Sequence, residues 1–305
     1  MSEHAIEAHG LRKRFKTLEA LKGIDLEIAR GSSFALVGPD GAGKTTAIRI
    51  LCGLLRPDSG KVAVFGDEPT AAKARLGYLS QRFSLYGDLS VDENIAFFAE
   101  IHGRRHFNAR RDELLEFTRL EPFRDRPASK LSGGMKQKLA LACALVHEPE
   151  LLLMDEPTTG VDPVSRREFW DIVASLSRRG MTVLASTPYL DEAERFDEVG
   201  MLDRGAFLAR GSPAELKADF RWAVVELVCQ DARKARRLLA DEAGGAFAEA
   251  QAFGDRVALL AEDGEAARIQ AISILAKAGL GIDSSRVAAP SLENVFMRLL
   301  GGSEQ

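Results

Sequence analysis

An α/β fold with a mostly parallel sheet, followed by a small α+β domain, is predicted by three features of this sequence. Short apolar or β-branched runs, SSFALVG, ELLLMDE and MTVLAST, alternate with longer segments of helical period, the pattern of strands joined through helices. A glycine-rich stretch, GPDGAGKTT, connects the strand SFALV to the helical run that follows it. Beyond LARGSPAEL the texture changes to strands and helices in the order βαββαβ with a closing helix, the signature of a ferredoxin-like, split βαβ unit.

The helical periods predict helices over Val91 to His102, Ala109 to Thr118, Ser132 to His147, Pro163 to Arg178 and Tyr189 to Phe196. Ser132 and Pro163 are good helix-start residues, and Asp162 is placed to cap the helix that opens at Pro163. In the second part, strands are expected in AVVELVC, AFAEAQAF, RVALLAE and IDSSRVAA, and helices in ARKARRLLADEA, GEAARIQAISILAKAG and SLENVFMRLL. The Gly-Asp pair between Phe253 and Arg256 predicts a hairpin. The expected division is residues 1–221 and 222–305, with a helical subdomain at about 86–148.

The chain has 305 residues, 46% of them hydrophobic, enough for one large domain and one small one. A formal net charge of −4, with no basic patch interleaved with aromatics, argues against nucleic acid as a partner. Cys52, Cys143 and Cys229 lie far apart, in no metal-ligand spacing, and read as core residues of a reducing cytoplasm. The start MSEHAIEAHG lacks the basic and apolar regions of a signal peptide, and no apolar run reaches the ~18 to 20 residues that span a bilayer. A membrane role is therefore expected to come through a partner.

Gly38 to Thr46 supplies the chemistry of a phosphate cradle. Successive backbone N–H groups of Gly38, Pro39, Asp40, Gly41, Ala42 and Gly43 (proline excepted) curl toward one point, and the next helix adds its positive end. Lys44 reaches the outer phosphates, Thr45 offers a hydroxyl to Mg²⁺, and Thr46 completes the loop. This predicts a P-loop NTPase core that binds ATP with Mg²⁺. In LLLMDEP, Asp155 and Glu156 stand at the mouth of a buried strand, Asp155 suited to hold the metal through water and Glu156 to polarise an attacking water. Adjacent carboxylates alone would read as a solvated strand end; together with the cradle they read as catalysis.

LSGGMKQKL adds a second set of N–H groups at a helix start, from Leu131, Ser132, Gly133, Gly134 and Met135, without a lysine or a loop of its own. Such a set needs a nucleotide held by another subunit. With these motifs the chain resembles an ATP-binding-cassette (ABC) ATPase: GPDGAGKTT is similar to its Walker A loop, LLLMDEP to its Walker B strand and LSGGM to its signature. The resemblance implies that Gln81 is the Q-loop glutamine, sensing magnesium and coupling to a partner, and that Asp162 in GVDP lies in the loop that crosses between cassettes. It also implies that Phe15 stacks on adenine, although Phe15 equally reads as a phenylalanine at the core edge. The resemblance runs over roughly residues 5–215. The ending PSLENVFMRLLGG is similar to ATPase subunits of bacterial drug or sodium exporters of the ABC-2 type, most closely to the N-terminal cassette of tandem, two-cassette ATPases.

This family implies a second cassette as partner, as homodimer, heterodimer or fused tandem, together with ABC-2 permease subunits, and a place on the inner face of the cell membrane. Where the family has a switch histidine, this chain has Pro188, which offers no side-chain donor or acceptor. The expectation is a site of its own that hydrolyses slowly, and a signature that completes the partner's site. Phe83, Leu85 and Tyr86 are expected on a loop that receives a permease helix. A non-transport cassette ATPase and a regulatory nucleotide-binding module are the alternative readings. The carboxylates of the C-terminal part, Asp241, Glu242, Asp263 and Glu265, form no catalytic constellation.

Overall fold

A computed structural model describes residues 3–81, 84–242 and 247–302. The chain divides into two compact units, Met1–Pro213 and Ala214–Gln305, a boundary that falls before the one expected from sequence and puts most of the helix Pro213–Ala218 in the second unit. Phe83 lies outside the described residues.

The first unit contains strands β1 (His4–Phe15), β2 (Leu18–Ala29), β3 (Ser33–Val37), β4 (Ser59–Val64), β5 (Leu76–Leu79), β6 (Leu151–Asp155), β7 (Thr182–Thr187), β8 (Glu198–Asp203) and β9 (Ala206–Gly211). Its helices are α1 (Lys44–Leu51), α2 (Val91–Ile101), α3 (Asn108–Thr118), α4 (Gly133–Leu145), α5 (Pro163–Arg178) and α6 (Leu190–Ala193). Six strands form one sheet in the order β5-β6-β7-β3-β8-β9, parallel except for the β8/β9 pair. The strands β3, β6 and β7 are buried along their whole length, as parallel strands covered on both faces must be. The α/β expectation is met.

A second sheet, β2-β1-β4, is antiparallel and was not legible from the short apolar runs. Its residues alternate, with Ile6, Ala8 and Leu11 of β1 and Leu21, Ile24, Leu26 and Ile28 of β2 in the same core as Phe34, Leu36, Ile48 and Leu153. Register shifts between Ala8 and Leu11 and between Lys13 and Arg14 interrupt that alternation.

The helical segment is fastened by charge and by hydrogen bonds. Ser90 and Glu93 form a reciprocal capping box at the start of α2. Asp92 receives Arg111 at 2.9 Å and Arg124 at 2.9 Å. Asn94 is fully buried and holds the Tyr86 backbone from both sides, with Tyr86 N donating to Oδ1 at 2.9 Å and Nδ2 donating to Tyr86 O at 3.1 Å. The Tyr86 side chain stays 49% exposed, edge-on to Phe97. Beside it is a cavity of about 170 Å³ lined in part by Leu79, Leu85, Phe98, His102 and His147.

The second unit opens with α7 (Pro213–Ala218, all but its first residue), followed by β10 (Ala223–Cys229), α8 (Ala232–Glu242), β11 (Glu249–Phe253), β12 (Arg256–Ala261), α9 (Gly264–Lys277), β13 (Ile282–Ala288) and α10 (Leu292–Gly302). Its sheet is antiparallel in the order β11-β12-β10-β13, which is the ferredoxin-like topology. Val225, Leu227 and Cys229 meet α8 and α9 through Ala235, Leu239, Ala271 and Leu275. Val224, Ala258 and Leu260 take the opposite face with Trp222.

Cys52, Cys143 and Cys229 are free and buried. Burial pushes the Cys52 thiol up to about 12 and raises the other two. Among the described residues no helix is long and apolar enough to cross a membrane, and no group of three or more His, Cys, Asp or Glu is arranged to hold a metal ion.

Candidate functional site

Three neighbouring strands end together. Val37 pairs in register with Thr187, and Asp155 with Ser186. Gly38, Glu156 and Pro188, the first residues past β3, β6 and β7, therefore emerge side by side at the carboxyl edge of the sheet, where open α/β sheets hold their ligands.

The glycine-rich loop runs from that edge into α1. Gly43 sits at the helix entry with φ 109°, and a Cβ there would lie 2.5 Å from Ala20 O, so only glycine lets the loop close onto the antiparallel sheet. Lys44 is 4% exposed, and its ammonium donates to Gly38 O at 2.7 Å and Pro39 O at 3.1 Å. It also pairs with Glu156 Oε1 at 3.1 Å. Glu156 holds a left-handed backbone, φ 48°, while its N–H donates to Ser186 Oγ at 3.0 Å. The second carboxylate oxygen of Glu156 accepts Gln81 Nε2 at 3.1 Å and Thr159 Oγ1 at 3.4 Å. Lys44, Gln81 and Glu156, separated by up to 112 positions in the chain, thus share one cluster.

Asp155 lies just beneath. Its Oδ1 accepts Thr45 Oγ1 at 3.0 Å and Ser186 Oγ at 2.8 Å. Its Oδ2 is buried with no hydrogen-bond partner. A dry carboxylate oxygen without a donor is costly, and the cost vanishes beside a hard cation, so the Thr45 hydroxyl and the Asp155 carboxylate fit Mg²⁺. Burial raises the Asp155 pKa above the ordinary aspartate value, partly offset by the two hydroxyl donors and reinforced by the charge of Glu156.

A raised folded-state pKa contributes stability that is complete below the unfolded value of about 3.9 and is lost as pH rises through the folded value. Relative to Asp155→Asn, which does not titrate, the wild type without Mg²⁺ is therefore expected to lose stability as pH rises from about 4 toward neutrality. Adding MgATP is expected to recover the wild type alone. Urea denaturation of both proteins across that pH range checks this.

Ser132 caps α4, accepting Met135 N at 3.3 Å, and Ser132 and Gly133 are exposed. Leu131 is buried and anchors the approach to the turn. Gly134 has a second reason to be glycine, because a Cβ there would sit 2.4 Å from Ser165 Cβ on α5. The N-terminal turn of α4 is thus pressed against the start of α5, where Asp162 caps by accepting Ser165 N at 3.0 Å. That bond holds the Asp162 carboxyl below the usual aspartate range.

Two expectations change. The helix expected over Tyr189 to Phe196 is the short α6, Leu190–Ala193, so Pro188 does not open it; Tyr189 N turns back to Thr187 Oγ1 at 3.0 Å instead. Phe15 is 45% exposed at the end of β1, which removes the core reading of that ring.

A residue not singled out by sequence, Glu192, is buried at 2% exposure and accepts hydrogen bonds from Thr158 and Arg166 as well as from Thr187. Its signal in the sequence was hidden in an acidic run, YLDEAE, which reads as a solvated helix.

Residues 21–159 match the family described as ABC transporter. The chain is 49% identical over 227 residues to the probable multidrug ABC transporter ATP-binding protein YbhF of Escherichia coli, an alignment covering 71% of this chain and 39% of that protein. It is 38% identical to the daunorubicin resistance ATP-binding protein DrrA3 of Streptomyces coeruleorubidus, covering 99% of this chain and 97% of that one. It is 36% identical to the Nod factor export ATP-binding protein I of a Rhizobium species, covering 99% and 98%. Among solved structures it superposes on cbiO1 of Clostridium perfringens with TM-score 0.65 and 28% identity, covering 72% of this chain and 92% of that one. A post-hydrolysis dimer of the cassette MJ0796 bound to ADP and Pi gives TM-score 0.61 at 25% identity, covering 68% and 98%.

Proposed function

Since the chain belongs to the ABC transporter family as one of its ATP-binding cassettes, we propose that it is the nucleotide-binding subunit of a bacterial exporter of small solutes or drugs. The observation that carries this is the cluster at the ends of β3 and β6, where Lys44, Gln81 and Glu156 are joined above Asp155 and Thr45. ATP binds with its phosphates on the amides of Gly38 to Thr46 and on Lys44, with Phe15 against the adenine. Mg²⁺ supplies charge neutralisation at the phosphates when bound, held by Thr45 and Asp155 with Gln81 beside it. Glu156 polarises the water that converts ATP to ADP and phosphate.

The turn Ser132 to Gly134, exposed at Ser132 and Gly133, has no basic side chain of its own and serves the nucleotide of a second cassette, which Asp162 also approaches. The dimeric arrangement of the MJ0796 cassette supports that pairing. Because Pro188 brings no polar group to the edge where the three strands end, this chain's own composite site turns over slowly and its signature serves the faster site of a companion cassette. Half-exposed Tyr86 and the neighbouring cavity, lined in part by Leu79, Leu85 and Phe98, receive a cytoplasmic helix of an ABC-2 permease at the inner face of the membrane.

Calorimetry of the chain with MgATP is expected to show binding in the range of about 1 μM to 1 mM, the span of ordinary enzyme affinities. Affinity purification from membranes is expected to retain a multi-span protein. Absence of MgATP binding, or a chain that carries no membrane partner and turns over ATP rapidly alone, overturns the reading.

A further inference from the structure

We propose that Glu192 is a positioning residue for hydrolysis, tying the segment Thr158 to Arg166 to the turn that carries position 188; this rests on the reading of the site as an ATPase. The other acid on the same short helix behaves differently. Asp191 keeps its side chain 79% exposed, whereas Glu192 is 2% exposed. A carboxylate taken out of water costs several kcal/mol unless its lone pairs are filled. Here they are filled by donors from three separate elements. Thr158 Oγ1 donates to Oε1 at 2.6 Å, Arg166 Nε donates to Oε1 at 3.0 Å, and Thr187 Oγ1 donates to Oε2.

Each donor sits next to a working group. Thr158 precedes Thr159, whose hydroxyl donates to Glu156. Arg166 N closes the first turn of α5 on Asp162 O at 2.9 Å, directly behind the capping residue. Thr187 precedes Pro188 and accepts Tyr189 N, and the Arg166 guanidinium lies 3.9 Å over the Tyr189 ring. Position 188 is therefore gripped on both sides, by Glu192 through Thr187 and by Arg166 through Tyr189.

A proline cannot be anchored by a polar side chain of its own. Its placement against Glu156 is set by these neighbours, and one carboxylate connects them to the segment that faces a companion cassette. Burying a charged pair for packing alone gains little, since an apolar pair of the same volume does as well. A hydrogen-bonded node of this kind instead fixes a geometry. When the companion orders the segment around Asp162, the shift reaches the 188 turn through Thr158, Arg166 and Glu192.

The test is steady-state turnover and MgATP titration of the full chain in its membrane complex with the companion cassette's site inactivated, so that the rate read is that of this chain's own Glu156-dependent site. Glu192→Gln keeps the shape but exchanges one acceptor for a donor, and is expected to lower kcat about tenfold while KM and MgATP affinity stay within about twofold. Thr158→Val, which leaves every charge in place, is expected to lower kcat about threefold with the same unchanged KM. Arg166→Lys keeps the charge and loses the planar stack, and is expected to fall between wild type and Glu192→Gln.

If both Glu192→Gln and Thr158→Val lower only the thermal midpoint while kcat per folded molecule is unchanged, the node is structural and the inference is wrong. A loss of MgATP affinity in step with kcat also overturns it, because the residue then acts on nucleotide binding. Failure of the wild type to bind MgATP removes the ATPase reading and this inference together.

Discussion

Lys44→Ala is expected to abolish MgATP binding and to weaken the nucleotide-free fold at the same time. The ammonium is the charged group of the phosphate cradle, and losing a charge-assisted contact of this kind lowers affinity at least about 100-fold. The second effect follows from burial. Lys44 and Glu156 have side chains only 3% and 8% exposed and lie 3.1 Å apart, so removing the cation leaves a carboxylate with Gln81 and Thr159 as its donors. Breaking a buried pair costs about 3–5 kcal/mol, and the two remaining donors put the expected loss near 3. Glu156→Gln in the Lys44→Ala background removes the stranded charge and is expected to recover most of that stability while leaving binding absent. Urea denaturation and calorimetry on the single and double variants separate the two effects; equal stability of Lys44→Ala and wild type contradicts the electrostatic account.

Pro188→His is expected to raise the Glu156-dependent ATP turnover of this chain's own site by about 10²–10³, the usual size of one positioned transition-state contact. The backbone can accept the change. All peptide bonds of the described residues are trans, the proline lies outside α6, and its restricted φ is available to any residue. The hydroxyl of Thr187 already fixes Tyr189 N, so an imidazole at 188 starts from a turn held in place. Rapid wild-type turnover, abolished by Glu156→Gln and unimproved by histidine, contradicts the slow-site proposal. A rate gain that survives Glu156→Gln shows that the added imidazole works by another route.

The parallel sheet was legible because the apolar runs of β3, β6 and β7 are continuous, and its strands end where the glycine loop and the acidic pair begin. Those motifs are local, and their chemistry can be read from adjacent residues. The antiparallel sheet was hidden because β1 carries LRKRF, whose charges interrupt the alternation that Ile6 and Ala8 establish. Glu192 could not be found from its neighbours, since its burial depends on Thr158, 34 positions away. Gly134 was legible as part of an anion-facing turn, but its contact with Ser165 depends on how α4 meets α5. The expected helix at Tyr189 was too long because the acidic run favours helix, while the hydroxyl of Thr187 claims the first N–H for a turn.

The three buried thiols have a practical consequence. Thiolate, the species that reacts with maleimides and nitroxide reagents, is scarce when burial holds a thiol's pKa as high as it does at Cys52. Val164, beside the α5 cap, is 69% exposed, and Val164→Cys would place a readily labelled sulfur there without first stripping the native ones. A spin label at that position, paired with one on an associated cassette, would report their separation through the nucleotide cycle against a quiet background from this chain.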